Sequence, residues 1–369
     1  MSNIVIAGYY GFSNAGDEAI LCALIEELKK LGGNLNITVL SARPHKTASE
    51  YGVNSVKRSS LVQVFRAMRQ SRIFISGGGS LLQDVTSWRS LYYYLFLMTL
   101  AKKLGLITVL YANGVGPINS PINRYITKAV LEQHDFLSVR DEESKSFLRK
   151  LGILKKAIDI TADPAFTLKP AAPEQGAEIL KTEGINPEDG SPIIGICIRP
   201  WKGKNKDYRH VLAKAADFIS REFKARILFV PLHEGEDRQE SLEIMRLMET
   251  DSLLLKGSYN PKELMSVIGY LELLIGVRLH SLIFAAAVGT PFAGISYDPK
   301  IDSFLKSFNM EPIGRLEGPD LNDLLIKLDD VWRNRDHMRR RIKEKARKMA
   351  ERVNEHNKQL FKLLNIMPS

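Results

Sequence analysis

The chain is 369 residues long, 44% hydrophobic and 25% charged, with a formal net charge of +10. That length exceeds what one hydrophobic core ordinarily supports and predicts two α/β domains, while the composition excludes a disordered, fibrous or coiled-coil chain. The positive balance asks for an anionic partner, whether nucleic acid, an acidic membrane surface or a phosphorylated small molecule.

Residues 4–7, 37–40, 72–76, 108–112 and 136–139 read as strands, most of them followed by a helical pattern. This alternation is the signature of a parallel sheet covered by helices on both faces, so residues 1–168 are predicted as a first Rossmann-like domain. Pro170, Pro173, Pro187 and Pro192 punctuate residues 169–192, which read as a linker. The alternation resumes at 193–198, 227–231, 252–255, 271–276 and 291–296 and predicts a second doubly wound domain over 193–330. Asn260 and Pro261 have the chemistry of a helix cap and first helical residue. Residues 331–369 are expected as a basic terminal helix. Its run of Arg339, Arg340, Arg341, Lys343, Lys345, Arg347 and Lys348 reads first as a solvated face and second as a lipid-headgroup contact.

Cys22 and Cys197 fall in different predicted domains, which argues against a disulfide or metal knuckle and fits a reducing cytoplasm. The first strand has no charged and apolar leader before it, so no secretory signal is expected. The apolar stretch 91–100 is broken by Lys102 and Lys103, short of the roughly 20 residues a membrane span needs.

Ligands of open α/β sheets bind beyond the carboxyl ends of the strands, so two such sheets facing each other predict a cleft, and the residues just past each strand carry the candidates. After the first strand, Gly11 and Gly16 have the glycine spacing of a P-loop. Asp17 and Glu18 then stand where a lysine and a hydroxyl are needed, and Tyr10 breaks a GxGxxG pattern. The loop suits a hydroxyl-rich ligand, with Asn14 and Asp17 as hydrogen-bond partners; Asp17 as a simple helix cap is an equal reading. Gly77, Gly78, Gly79 and Ser80 follow another strand, where bare amides could hold an anion or a sugar oxygen and Asp84 could take a proton from an attacking hydroxyl.

The densest cluster is residues 276–281, where Arg278 and His280 meet the start of an apolar helix. It combines a fork for carboxylate or phosphate, a group titrating near neutrality and free backbone amides; a structural His280 is the bland reading. Arg140, Arg199 and Lys300 occupy comparable loop positions and together could neutralise a trianion, although each alone reads as a surface charge or a structural pair. His233 ends another strand, but no second histidine follows at HExxH spacing, and no metal is expected.

The segments GFSNAGDEAIL, SGGGSLLQD, SVRDEES and GVRLHSLIFAAA, in that order, resemble the polysaccharide pyruvyl transferase family, its CsaB-like members in particular, from the first strand to about Lys300. The resemblance implies two Rossmann-like domains in a GT-B arrangement, the acceptor on the first and phosphoenolpyruvate on the second. It also implies transfer of pyruvate from phosphoenolpyruvate to a sugar as a cyclic ketal, with no separate cofactor. For CsaB-like members the acceptor implied is N-acetylmannosamine of a lipid-linked cell wall polymer precursor, with a peripheral contact at the inner membrane face. The family's Arg-Leu-His donor motif maps onto Arg278, Leu279 and His280. A small enol carrying carboxylate and phosphate suits Arg278, Arg199, Arg140 and Lys300, with His280 as acid and Asp84 or Asp17 as base. A GT-B glycosyltransferase using a nucleotide sugar is the main alternative. A non-catalytic polyanion or nucleic-acid binder, motivated by the +10 charge, is the second, although nucleic acid is not the partner expected.

Overall fold

A computed structural model describes residues 3–32, 35–85, 87–201, 203 and 207–364. The chain divides into two compact units, Met1–Thr167 with Met349–Ser369, and Leu168–Lys348.

In the first unit the strands are β1 (Asn3–Ala7), β2 (Asn36–Ser41), β3 (Asn54–Lys57), β4 (Ile73–Ser76), β5 (Gly79–Leu82), β6 (Ile107–Val115), β7 (Phe136–Val139) and β8 (Asp159–Ile160). They form one sheet in the order β3-β2-β1-β4-β6-β7-β8, with β5 on β6, and every pairing is parallel. Ile4, Val5, Ile6 and Ala7 are all buried, as a parallel strand covered on both faces requires. Right-handed crossovers set α1 (Ala15–Lys30) and α2 (Pro44–Tyr51) on one face. They set α3 (Leu61–Arg69), α4 (Trp88–Lys103), α5 (Pro121–Leu131) and α6 (Glu142–Lys150) on the other. There Val64, Leu91, Leu95 and Met98 share a core with Val5, Ala7 and Phe74.

The second unit alternates α7 (Pro173–Thr182), β9 (Ile193–Cys197), α8 (Tyr208–Glu222), β10 (Arg226–Phe229), α9 (Glu236–Met245), β11 (Ser252–Leu254), α10 (Pro261–Ile268), β12 (Leu273–Gly276), α11 (Leu279–Val288), β13 (Phe292–Ser296), α12 (Pro299–Ser307) and β14 (Gly314–Arg315). Its parallel sheet runs β11-β10-β9-β12-β13-β14. Asn260 caps α10 as its sequence suggests: it accepts from Lys262 N and Glu263 N, and Glu263 returns a bond to Asn260 N.

Three expectations are corrected. Residues 169–192 are not a linker: α7 packs on α10, with the Ser266 hydroxyl donating to Ala172 O at 3.0 Å and Gly176 against Ser266. Pro173 starts this helix instead of breaking one, because a first-turn proline surrenders no helical hydrogen bond. The terminal helix α13 (Leu321–Leu363) begins well before residue 331. It is divided between the units: Trp332 stacks on Phe223 at 4.8 Å in the second, and Asn357 accepts from the buried Tyr111 hydroxyl at 2.7 Å in the first. Its basic run is also not simply solvated, since Arg339 pairs with Glu272 at 2.9 Å.

Strand order reverses direction in each sheet, between β1 and β4 in the first and between β9 and β12 in the second. At such a switch point adjacent loops diverge to opposite faces and leave a crevice at the carboxyl edge.

Candidate functional site

In the first unit the β1–α1 loop and the loop after β4 flank the switch point. Gly11 has φ +79°, and a Cβ there would lie 2.3 Å from Ser41 Oγ, so the loop can turn only on glycine. Its amide donates to Glu18 Oε1 at 2.7 Å. Asn14, expected to bind a ligand, is the helix cap, its Oδ1 accepting from Gly16 N at 3.1 Å. Asp17 is therefore not the cap; it is buried in the first turn of α1.

The triple glycine serves close packing more than bare-backbone exposure. Gly77 lies on the buried Tyr10 hydroxyl, Gly78 on Ile20 and Gly79 on the Asp17 carboxylate, where a Cβ would come within 2.7 Å of Oδ1. The Gly77 amide donates to Ala7 O, and Asn113 Nδ2 donates to both Ser76 O and Gly77 O. Gly79 and Ser80 already belong to β5, a strand the sequence conceals because two glycines precede it.

Arg140, just past β7, donates to Asp163 Oδ2 at 3.0 Å and to Ser80 Oγ at 3.1 Å. Both side chains of the ion pair are nearly inaccessible, 6% and 3% exposed, so Arg140 is already neutralised. Asp17 and Arg140 thus meet β5 at neighbouring residues, Gly79 and Ser80. Asp84 stands apart in role. It accepts from Asn119 N, Ser120 N and Asn123 Nδ2 at 2.8, 3.0 and 2.9 Å and so anchors the start of α5. Burial pushes its carboxyl up, but those bonds outweigh it and hold Asp84 below the usual carboxylate range, which makes it a poor base.

Glu18, beside this loop, is pushed by burial up to about 7, despite accepting from Gly11 N and from the Tyr51 hydroxyl. Its ordinary value is 4.5, so the folded chain binds this proton more tightly than the unfolded chain does. The resulting stabilisation is fully present below about pH 4.5 and is lost as pH rises through about 7. Urea unfolding midpoints at pH 5 and pH 8 therefore differ more for the wild type than for Glu18→Gln, which lacks the titration; equal pH dependence in both overturns this assignment.

In the second unit four neighbouring strands deliver side chains to one edge: His233 after β10, Arg199 after β9, Arg278 after β12 and Lys300 after β13. Arg278 is the N-cap residue of α11 and its side chain makes no cap. Its Nε and Nη2 form a two-pronged bond to the carboxylate of Asp237, a wholly buried residue in the first turn of α9. Asp237 also accepts from Leu232 N (3.2 Å) and His233 N (2.9 Å). Burial works against the Arg278 charge, but Asp237 more than offsets it and holds the guanidinium above its usual value. Arg278 is thus a fixed element of the edge and, contrary to expectation, not an uncompensated charge. Glu236 N donates to His233 Nδ1 at 3.3 Å.

Arg199 is the exception. Among the described residues it meets no carboxylate at ion-pair distance; it donates to the Tyr297 hydroxyl at 2.8 Å and lies 4.9 Å from that ring's centre. Lys300 approaches the same ring at 6.0 Å and pairs with the partly exposed Asp298 at 3.1 Å. Tyr297 so gathers two of the expected cations. His280 is the second residue of α11 and Leu279 the first, at a helix start that its N-cap residue Arg278 does not cap and whose amides favour an anion. Cys197 lies beneath this edge, and burial pushes its thiol up to about 12, so it is inert as a nucleophile.

Asp163, Asp237 and Tyr297 escaped the sequence reading. Tyr297 directly follows a strand and was accessible to the same logic as its neighbours. The two aspartates had no signal, because a buried counter-ion is recognisable only by its partner.

A sequence model described as polysaccharide pyruvyl transferase matches residues 14–299. The amylovoran biosynthesis protein AmsJ of Erwinia amylovora is 21% identical over 92% of this chain and 94% of its own length. Among solved structures, HepE of Anabaena in complex with UDP-glucose superposes with a TM-score of 0.65 at 12% identity, covering 99% of this chain and 100% of that one. MnaA of S. aureus with UDP gives 0.69 at 9% identity over 100% and 99%. The UDP-GlcNAc 2-epimerase of Neisseria meningitidis bound to UDP-GlcNAc gives 0.66 at 11% identity over 98% and 100%. The fold is the two-domain Rossmann-like architecture of GT-B proteins.

Proposed function

Because this chain belongs to the polysaccharide pyruvyl transferase family, we propose that it transfers pyruvate from phosphoenolpyruvate to a sugar of a polysaccharide precursor, forming a cyclic ketal and releasing phosphate. The observation that carries this reading is the carboxyl edge of the second sheet. There Arg199 and Lys300 share Tyr297, just past the strands β9 and β13 that flank β12, after which begins a helix that carries His280 in its first turn and whose N-cap residue, Arg278, makes no side-chain cap. Such an edge suits a small dianion or trianion.

In the proposed sequence His280 gives a proton to the methylene carbon of phosphoenolpyruvate, which becomes the methyl group, while positive charge develops on the adjacent carbon. One sugar hydroxyl attacks that carbon and loses its proton to a base. Departure of phosphate and attack by a second hydroxyl, again with loss of its proton, close the ketal. Of the two carboxylates considered as base, Asp17 is retained, since Asp84 is held by three hydrogen bonds below the usual carboxylate range. Arg140 and Arg278 serve as positioning residues through their buried carboxylate partners. An N-acetylmannosamine acceptor carried on a lipid is the finer form of the proposal.

Incubation with phosphoenolpyruvate and a panel of N-acetylhexosaminyl acceptors tests it. The expected product is heavier by one pyruvate less water and appears with stoichiometric phosphate; in deuterium oxide the new methyl group carries one deuterium. The same architecture also fits a glycosyltransferase using a nucleotide sugar, as the UDP-bound structural neighbours suggest. Consumption of a nucleotide sugar with no turnover of phosphoenolpyruvate replaces the first reading by that one.

A further inference from the structure

We infer that the outer face of α3, α4 and α5 is a docking surface for an anionic lipid bilayer, on which the chain lies without crossing it. No helix among the described residues is long and apolar enough to span a membrane. Yet eight of the thirteen large hydrophobic side chains that are exposed among the described residues lie on these three helices. Trp88, Tyr92 and Phe96 are 57%, 38% and 46% exposed and recur every fourth residue along one side of α4. The opposite side of that helix already fills the core with Tyr94, Leu97 and Ala101. Leu61 and Phe65 repeat the pattern on α3, and Ile122 and Tyr125 on α5, the last two being 67% and 74% exposed.

The three stripes share one face of the sheet, the face opposite α1 and α2. The Tyr92 hydroxyl donates to Asn123 Oδ1 at 2.9 Å and ties α4 to α5. The Tyr93 hydroxyl donates to Arg58 O at 2.9 Å and holds the segment entering α3 against α4. A patch of this kind is unusual on a surface meant only for water.

Charge identifies the occupant. None of the three helices contains an aspartate or glutamate, while Arg66, Arg69, Arg89 and Arg124 are exposed on them. Aromatic rings with polar edges, set among arginines, match the headgroup layer of an anionic bilayer. A second copy of the chain fits less well, because a two-fold interface would set this cationic face against itself. The basic run of α13 is the weaker candidate: Arg339 pairs with Glu272 and the Lys343 stem lies against Gly289. The inference rests on this surface alone and not on the donor chemistry.

Flotation of the full chain with vesicles of phosphatidylcholine, with and without a quarter of phosphatidylglycerol, tests it. Wild type is expected to bind the anionic vesicles and to release with salt. Trp88→Ser/Tyr125→Ser and Arg66→Glu/Arg124→Glu are each expected to lose at least tenfold in partitioning with unchanged melting temperature, and Arg339→Ala/Arg340→Ala/Arg341→Ala to stay within twofold of wild type. Blue-shifted, bromolipid-quenched fluorescence that disappears in Trp88→Phe would support insertion at this face. Absence of binding by wild type, wild-type binding by both face variants, or loss confined to the α13 variant overturns the inference. So does conversion of a dimer to a monomer by the face substitutions, read by light scattering, since a second copy would then cover the patch.

Discussion

Substitution of His280 by glutamine lowers turnover of phosphoenolpyruvate by about 10²–10⁴-fold, with the KM for phosphoenolpyruvate within a few-fold of wild type. On the proposed mechanism the size follows from removal of a positioned proton donor, and the unchanged KM from the amides and cations proposed to hold the anion independently of the imidazole. His280 occupies the second position of α11, whose N-cap residue Arg278 makes no side-chain cap. Glutamine retains hydrogen-bonding capacity and roughly the same volume, so a large loss reports on proton transfer and not on packing. Phosphate release, thermal melting and deuterium incorporation measured together check this. Turnover within threefold of wild type would remove His280 from the chemistry.

Asp237→Ala destabilises the chain by about 3–5 kcal/mol, because it leaves a buried guanidinium without its counter-ion. Arg278 is only 13% exposed on its side chain and loses both prongs of its bond, while the amides of Leu232 and His233 lose their acceptor. For a domain of this size the melting temperature falls by roughly 6–20 °C. Activity falls with it, since Asp237 fixes both Arg278 after β12 and the His233 loop after β10. The pair Asp237→Leu/Arg278→Met removes both charges and is expected to regain most of the stability and none of the turnover. Differential scanning calorimetry and the phosphate assay separate these outcomes. A single Asp237→Ala variant as stable as wild type is incompatible with the buried pair, and a fully active double variant is incompatible with Arg278 as a positioning residue.

Much of the fold is legible in the sequence because the signals are local. Short β-branched runs followed by helical patterns marked the long central strands, and Asn260-Pro261 announced a helix start through cap chemistry alone. The signal failed where local chemistry has two meanings. Pro173 reads as a break yet opens α7, and Gly77, Gly78 and Gly79, the last of which opens β5, read as a loop yet pack against Tyr10, Ile20 and Asp17. The candidate site divides the same way. Arg140, Arg199, Arg278, His280 and Lys300 were singled out because each follows a parallel strand closely, and the sheet's topology carries such residues to one edge of its unit.

By itself, then, the sequence determined the α/β alternation and which side chains stand at the carboxyl ends of strands, since both depend on periods of a few residues. Only the tertiary structure decided which of those charges are already balanced. Asp237 and Arg278 are 41 positions apart, and Asp163 and Arg140 are 23. No local pattern joins such residues; sheet order and burial do, and in a poorly hydrated interior a charge persists only where a counter-ion has been brought to meet it.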